Sequence, residues 1–217
     1  MSDAFICLLI AALIILPYIP EKFGYRVSDA LLIFLLFYML ASMMGRVYKL
    51  FYIVTFWDKL LHFCGGVAFA LIGSYIPALI NRDYEQDRLL RVLFGFLFSV
   101  SIAALWEFWE YGADRLLGTD MQRDTIITCI NSYNLGDSVG VIGSIDNIES
   151  VLINGEEIEG YIDIGLIDTM GDMIVETLGA AFYALIFALD KGRHSAVYRL
   201  ETAAEDSKSA FSNEQNT

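Results

Sequence analysis

Histidine is scarce in this chain of 217 residues; there are two, His62 and His194. With a single histidine inside the apolar segments and no paired Glu-x-x-His motif, the sequence argues against a ferritin-type di-iron centre, which draws that motif from each of two helices. Cysteine is scarce too. Cys7, Cys64 and Cys129 are the three present, too few for a disulfide framework. Cys7 and Cys64 fall in apolar runs and read as small core residues, whereas Cys129 reads as an unpaired loop thiol. Positive charge is also short: 14 Lys and Arg stand against 27 Asp and Glu, for a net charge of −13. That balance argues against nucleic acid as a partner. No glycine-rich phosphate loop, long internal repeat or inverted repeat is visible.

What the chain has in quantity is apolar sequence. Hydrophobic residues make up 56% of it, and the mean hydropathy is +0.53. The apolar residues come in long runs, the mark of an integral membrane protein. The expected fold is an all-α polytopic membrane protein with about five spans, near 4–20, 29–46, 59–80, 89–112 and 166–189. Each approaches the ~20 residues that cross ~30 Å of hydrocarbon. Backbone groups in lipid must be satisfied within the segment, so such spans are helices. The aromatic stretch 47–57 is too short to cross and reads as interfacial, with a broken sixth span as the alternative. The first run carries Asp3 and no basic residue ahead of it, so it reads as a retained span and not a signal peptide.

Residues 118–165 differ in kind, being polar and acidic. Val151–Ile158, with Asn154-Gly155 at its centre, predicts two short strands around a tight turn. The expected domain plan is a transmembrane helical domain over 1–200, carrying this β-rich insert, and a disordered cytoplasmic tail over 201–217. Orientation follows from the basic residues. Lys22, Arg26, Arg82, Arg88, Arg91, Lys191, Arg193, Arg199 and Lys208 would share one side, against Arg46, Lys49, Lys59, Arg115 and Arg123 on the other. The richer side is expected to be cytoplasmic, with the N-terminus and the insert outside.

Acidic residues and one histidine cluster at the outer ends of three of these segments. Asp58 and His62 open one; Glu107, Glu110 and Asp114 close the next; Asp168, Asp172 and Glu176 open the last. Spacings of three, four, seven and eight place each set on one helix face. An ionisable group deep in a bilayer costs at least ~2.5–3.5 kcal/mol unless paired or hydrated, so these residues are candidates for function. Gly65, Gly66, Gly112, Gly171 and Gly179 lie at similar levels and would let the helices approach closely. Carboxylates with one imidazole suit a divalent ion such as Mg²⁺, Mn²⁺ or Zn²⁺. The expected ligands are Asp58, His62, Asp168 and Asp172, with Glu107 or Glu110 as the general base. The plainer reading of Asp58 and Asp168 is as helix N-caps.

The same residues carry a resemblance. Trp57-Asp58-Lys59-Leu-Leu-His62-Phe63-Cys-Gly-Gly66 resembles the D-[RK]-x-x-H-F-x-x-G element of the YjdF-like (DUF2238) bacterial inner-membrane family. Trp106-Glu107-Phe-Trp-Glu110 is similar to its E-x-x-E element, Gly118–Gln122 to its Gly/Gln loop, and Asp168-Thr-Met-Gly-Asp172-Met173 with Gly179-Ala180 to its last element. The insert of about 40 residues between the third and last elements departs from that pattern. The Asp-Lys-x-x-His element is also loosely similar to VanZ-like membrane proteins, a family associated with glycopeptide tolerance. The resemblance implies a multi-pass protein of the bacterial cytoplasmic membrane and supplies no reaction. Three functions fit: a metal-dependent site acting on a lipid-linked or cell-envelope substrate, a cation- or proton-coupled transporter, and a structural or accessory protein. The sequence does not choose between enzyme and transporter, and the oligomeric state is not legible in it.

Overall fold

The computed structural model describes residues 29–81 and 88–189. Five helices are described: α1 (Asp29–Val47), α2 (Leu50–Ile53), α3 (Trp57–Asn81), α4 (Arg88–Leu117) and α5 (Leu166–Leu189). Six short strands lie between α4 and α5. The chain divides into two compact units, Met1–Trp106 with Asp172–Thr217, and Glu107–Gly171.

Three of the described helices are long and apolar enough to cross a membrane: Trp57–Pro77, Arg88–Leu117 and Leu166–Leu189, of 21, 30 and 24 residues. At 1.5 Å per residue these measure about 32, 45 and 36 Å, enough for the hydrocarbon core. Of the five or six spans expected, three are found among the described residues. The apolar part of α1, Leu31–Val47, spans only about 25 Å. The expected first span, 4–20, lies outside the described residues, as does the tail. The stretch 47–57 supplies only the single turn of α2, entered through Lys49 in the left-handed region (φ 58°), so it provides no further span.

In the first unit, α3 and α5 run parallel, and residues 88–106 of α4 run against them. His62 and Ser74 on α3 meet Glu176 and Tyr183 on α5, in the same order along both helices. Ser99 donates to the Gly66 carbonyl at 3.0 Å and Arg91 to that of Ser74, in the reverse order. The core is built mostly of small and aromatic groups, Ala70, Ala180, Tyr183 and Phe187, with one leucine, Leu71. Large apolar side chains point outward instead, among them Leu93, Leu97, Ile174, Leu178 and Leu185. Water would penalise that inverted distribution, whereas lipid accepts it, because packing of small residues and polar contacts hold helices together there.

Glycine makes the α3–α5 approach possible. A Cβ on Gly66 would sit 2.1 Å from the Glu176 carbonyl oxygen, and one on Gly179 would sit 2.2 Å from that of Phe63. Gly112, expected to serve the same purpose, has open space around it. At the far end of the unit, the buried Arg91 guanidinium lies over the Tyr75 and Phe187 rings at 5.5 and 5.4 Å. Arg88 donates to the Phe187 carbonyl. Phe187 is in the last turn of α5, so Arg88 serves a carbonyl that lacks an intrahelical donor.

The second unit is loop-rich. Its strands form three antiparallel pairs, β1 (Ile126–Ile127) with β6 (Tyr161–Ile162), β2 (Ile130–Ser132) with β3 (Gly143–Ile145), and β4 (Val151–Ile153) with β5 (Glu156–Ile158). The hairpin expected around Asn154-Gly155 is present, with Val151 opposite Ile158 and both turn residues at positive φ (53° and 92°). That geometry is the type I′ turn favoured by Asn-Gly. The cap of α5 is Asp163, whose carboxylate accepts from the Thr125, Gly165 and Ile167 amides at 2.7, 3.2 and 2.7 Å. Desolvation pushes its pKa upward, but these three donors outweigh it and hold the carboxyl below its ordinary range. Replacing residues 148–160 by a short Gly/Ser linker should leave the protein in the membrane fraction, because among the described residues β4 and β5 form strand pairs only with each other. Loss of membrane-inserted protein on fractionation would show that the hairpin is required for the helices to fold.

Candidate functional site

Helix periodicity supplies the site's two faces in the first unit. Asp58, Lys59 and His62 occupy the first turns of α3, and Asp172 and Glu176, four apart, lie on one face of α5. The glycine contacts at Gly66 and Gly179 draw these backbones together beside the polar groups. All five side chains are withdrawn from solvent to some degree, from Asp172 at 1% exposed to Lys59 at 34%. Asp172 is the most buried of them, and it receives the Lys59 ammonium at 2.8 Å.

His62 lies between carboxylates. Its Nδ1 is 3.3 Å from Glu176 Oε2. Its Nε2 is 3.6 Å from Asp172 Oδ1 and 3.9 Å from Asp58 Oδ1. One ligand atom from each of Asp58, His62 and Asp172 falls within 4.8 Å of the others. The remaining Glu176 oxygen, Oε1, is buried and has no hydrogen-bond partner among the described residues.

The other residues singled out from sequence have different surroundings. Asp168 is one turn before Asp172 on α5; its Oδ2 accepts from the Arg123 amide at 3.2 Å and lies 3.8 Å from Arg123 Nε. It is not a member of the Asp58–His62–Asp172 group. Neither Asp58 nor Asp168 caps its helix; both are inside the first turn. Glu107 and Glu110 belong to the second unit and are buried, at 4% and 8% exposed. Asp114 organises the following loop, accepting from Thr119 Oγ1 and the Met121 and Gln122 amides at 2.7, 2.7 and 2.8 Å. Gln122 in turn donates to Thr169 Oγ1 at 2.5 Å.

Two participants have stronger roles than the sequence suggests. Glu176 shares its stripe with Asp172, but nothing in the spacing shows that it would be the carboxylate facing His62. Lys59 is adjacent to Asp58 in sequence, yet its ammonium reaches Asp172 on another helix.

The motif residues lie within the stretch that comparison with known proteins matches. A family model described as "Predicted membrane protein (DUF2238)" matches residues 1–193. The chain belongs to the DUF2238 family. An uncharacterized protein of Thermotoga maritima is 30% identical over 130 residues, which cover 56% of this chain and 63% of that relative. The match thus spans less than two thirds of the relative's length. No solved structure matches the chain. Membership accounts for the apolar helices and supports the membrane as their environment. The comparisons do not show the VanZ-like similarity expected from the Asp58–His62 element.

Proposed function

We propose that this DUF2238 protein holds a divalent cation between Asp58, His62 and Asp172, and uses it on a lipid-linked or cell-envelope substrate such as a phosphate ester. The observation that carries the reading is the spacing around His62 Nε2. Separations of 3.6 and 3.9 Å are too long for hydrogen bonds. They are close to the edge of a tetrahedron around an ion with ligands at ~2.0–2.1 Å, roughly 3.3 Å. Charge supports it too. The carboxylates of Asp58, Asp172 and Glu176 gather around one imidazole, and a divalent ion would lessen their mutual repulsion. One imidazole and two carboxylates leave a coordination position open, as a catalytic ion requires. When bound, such an ion would polarise a phosphoryl oxygen or acidify water. Asp168, engaged by Arg123, is left out of the ligand set, and Glu107 and Glu110, expected from the sequence as the general base, are buried carboxyls of the second unit.

A second reading, a cation- or proton-coupled transporter, draws on the Lys59–Asp172 pair, in which a cation already sits on the most buried carboxylate of the group. The two readings separate in proteoliposomes. Ion-dependent release of phosphate from a lipid-linked phosphate ester supports the first. Ion or proton flux without hydrolysis supports the second.

The division of basic residues supports placement in the bacterial cytoplasmic membrane with the insert outside. A thiol reagent that cannot the membrane cross should then label Cys129 in intact cells, since that thiol is exposed. Its hydrogen bond to Asp146 (2.9 Å) raises its pKa, so labelling should be slow at neutral pH and speed up as pH rises. Asp146→Asn should quicken it at neutral pH. Protection of Cys129 until the cells are opened would reverse the orientation.

A further inference from the structure

Glu176 has no part in the ligand set above, although it makes a closer approach to His62 than either proposed ligand does. An imidazole that binds an ion through one nitrogen must carry its proton on the other, and a carboxylate beside that second nitrogen selects the tautomer and fixes the ring plane. Glu176 Oε2 faces Nδ1, and Asp58 and Asp172 face Nε2. The two sides of the ring therefore have separate tasks.

The surroundings make this contact hard to rearrange. Glu176 is buried, so its carboxylate cannot turn to water. The Gly66 contact is made by the Glu176 backbone carbonyl itself, and the Gly179 contact falls one turn further along α5 against Phe63, the neighbour of His62. Both helix backbones are thus located by contacts within a turn of the dyad.

We infer that Glu176 is a positioning residue: it accepts the Nδ1 proton of His62 and so presents Nε2 to an ion held by Asp58 and Asp172. This rests on the metal reading proposed above. It also assigns the nitrogen. Nε2 is the ligand atom, and Glu176 stays outside the coordination sphere, keeping the ligand count at three and the remaining position open. A ligating role for Glu176 would instead crowd Nδ1 and turn Nε2 away from the two aspartates.

The test uses full-length protein loaded with Zn²⁺ or Co²⁺. The chain's only other histidine is His194, so a His194→Asn variant with ¹⁵N-labelled histidine gives the signals of one imidazole. Zinc-loaded protein should show Nε2 bound to the ion and Nδ1 protonated. Zinc on Nδ1 overturns the inference, even if the affinity is high. Glu176→Gln and Glu176→Ala should weaken Co²⁺ binding by roughly 10- to 100-fold, as loss of such a partner does elsewhere. They should also alter the visible Co²⁺ spectrum as the imidazole loosens. Thr177→Val, which removes a hydroxyl bonded to the Met173 carbonyl (2.7 Å) on the same helix, should change neither. If Glu176→Gln and Glu176→Ala keep the wild-type affinity and spectrum, Glu176 does not position His62. If wild-type protein binds neither ion, the metal reading fails and this inference falls with it.

Discussion

Divalent ions should raise the melting temperature of the purified protein, and His62→Ala or Asp172→Asn should abolish the rise. An ion that binds only the folded state stabilises it by mass action, by about 2.7 kcal/mol at one hundred times its dissociation constant. For a chain of this size that corresponds to roughly 5–10 °C. His62 contributes the imidazole, and Asp172 the most buried carboxylate of the group. Asp124→Asn serves as the control, because Asp124 lies in the second unit and is not one of the grouped ligands. The expected record is an ion-dependent shift in wild type and Asp124→Asn, and none in the other two. If His62→Ala and Asp172→Asn destabilise the protein with no ion effect in any variant, the cluster is a polar packing network and the accessory-protein reading gains.

The second large effect concerns glycine. Gly66→Ala would place a methyl group 2.1 Å from the Glu176 carbonyl oxygen, and Gly179→Ala one 2.2 Å from that of Phe63. Backbone atoms on a packed helix cannot step aside as a flexible side chain can, so α3 and α5 must separate. Overpacking of this kind costs about 1–3 kcal/mol and sometimes more. The cost to the site should be larger than the cost to the fold, because the His62–Glu176 and Lys59–Asp172 contacts both bridge these helices. Gly112→Ala is the informative comparison. It sits in α4 with open space around it, so it should be neutral or gain up to ~1 kcal/mol from helix propensity. Thermal melts and Co²⁺ binding on the three variants check this. Wild-type behaviour of Gly66→Ala would mean that the helices are not held at this distance.

Much of this was legible in the sequence, for physical reasons that can be named. Membrane character follows from the length of the apolar runs, because a span needs a fixed number of residues. The Asn154-Gly155 hairpin was legible because a type I′ turn demands positive φ twice, and few dipeptides accept it. The grouping of Asp58 and His62 with Asp172 follows from stripes at helical spacing and the cost of leaving them in lipid. Glu176 was not legible as the partner of His62, because periodicity fixes a face and not which residue of a facing stripe comes opposite. The engagement of Asp168 by Arg123 was hidden for another reason: it depends on how the loop after Asp114 folds, which spacing along α5 cannot report. Of the expected spans, three are found among the described residues, because apolar composition alone does not guarantee length. The apolar part of α1 stops at Val47, and Lys49 then turns the chain through the left-handed region.

Anomalous scattering at the zinc edge from crystals grown with Zn²⁺ tests most directly whether Asp58, His62 and Asp172 hold one ion. A single strong peak is expected about 2.0–2.2 Å from His62 Nε2 and from a carboxylate oxygen of each aspartate. A zinc-containing crystal with no peak among these three residues, and the Lys59 ammonium still seated on Asp172, would contradict it.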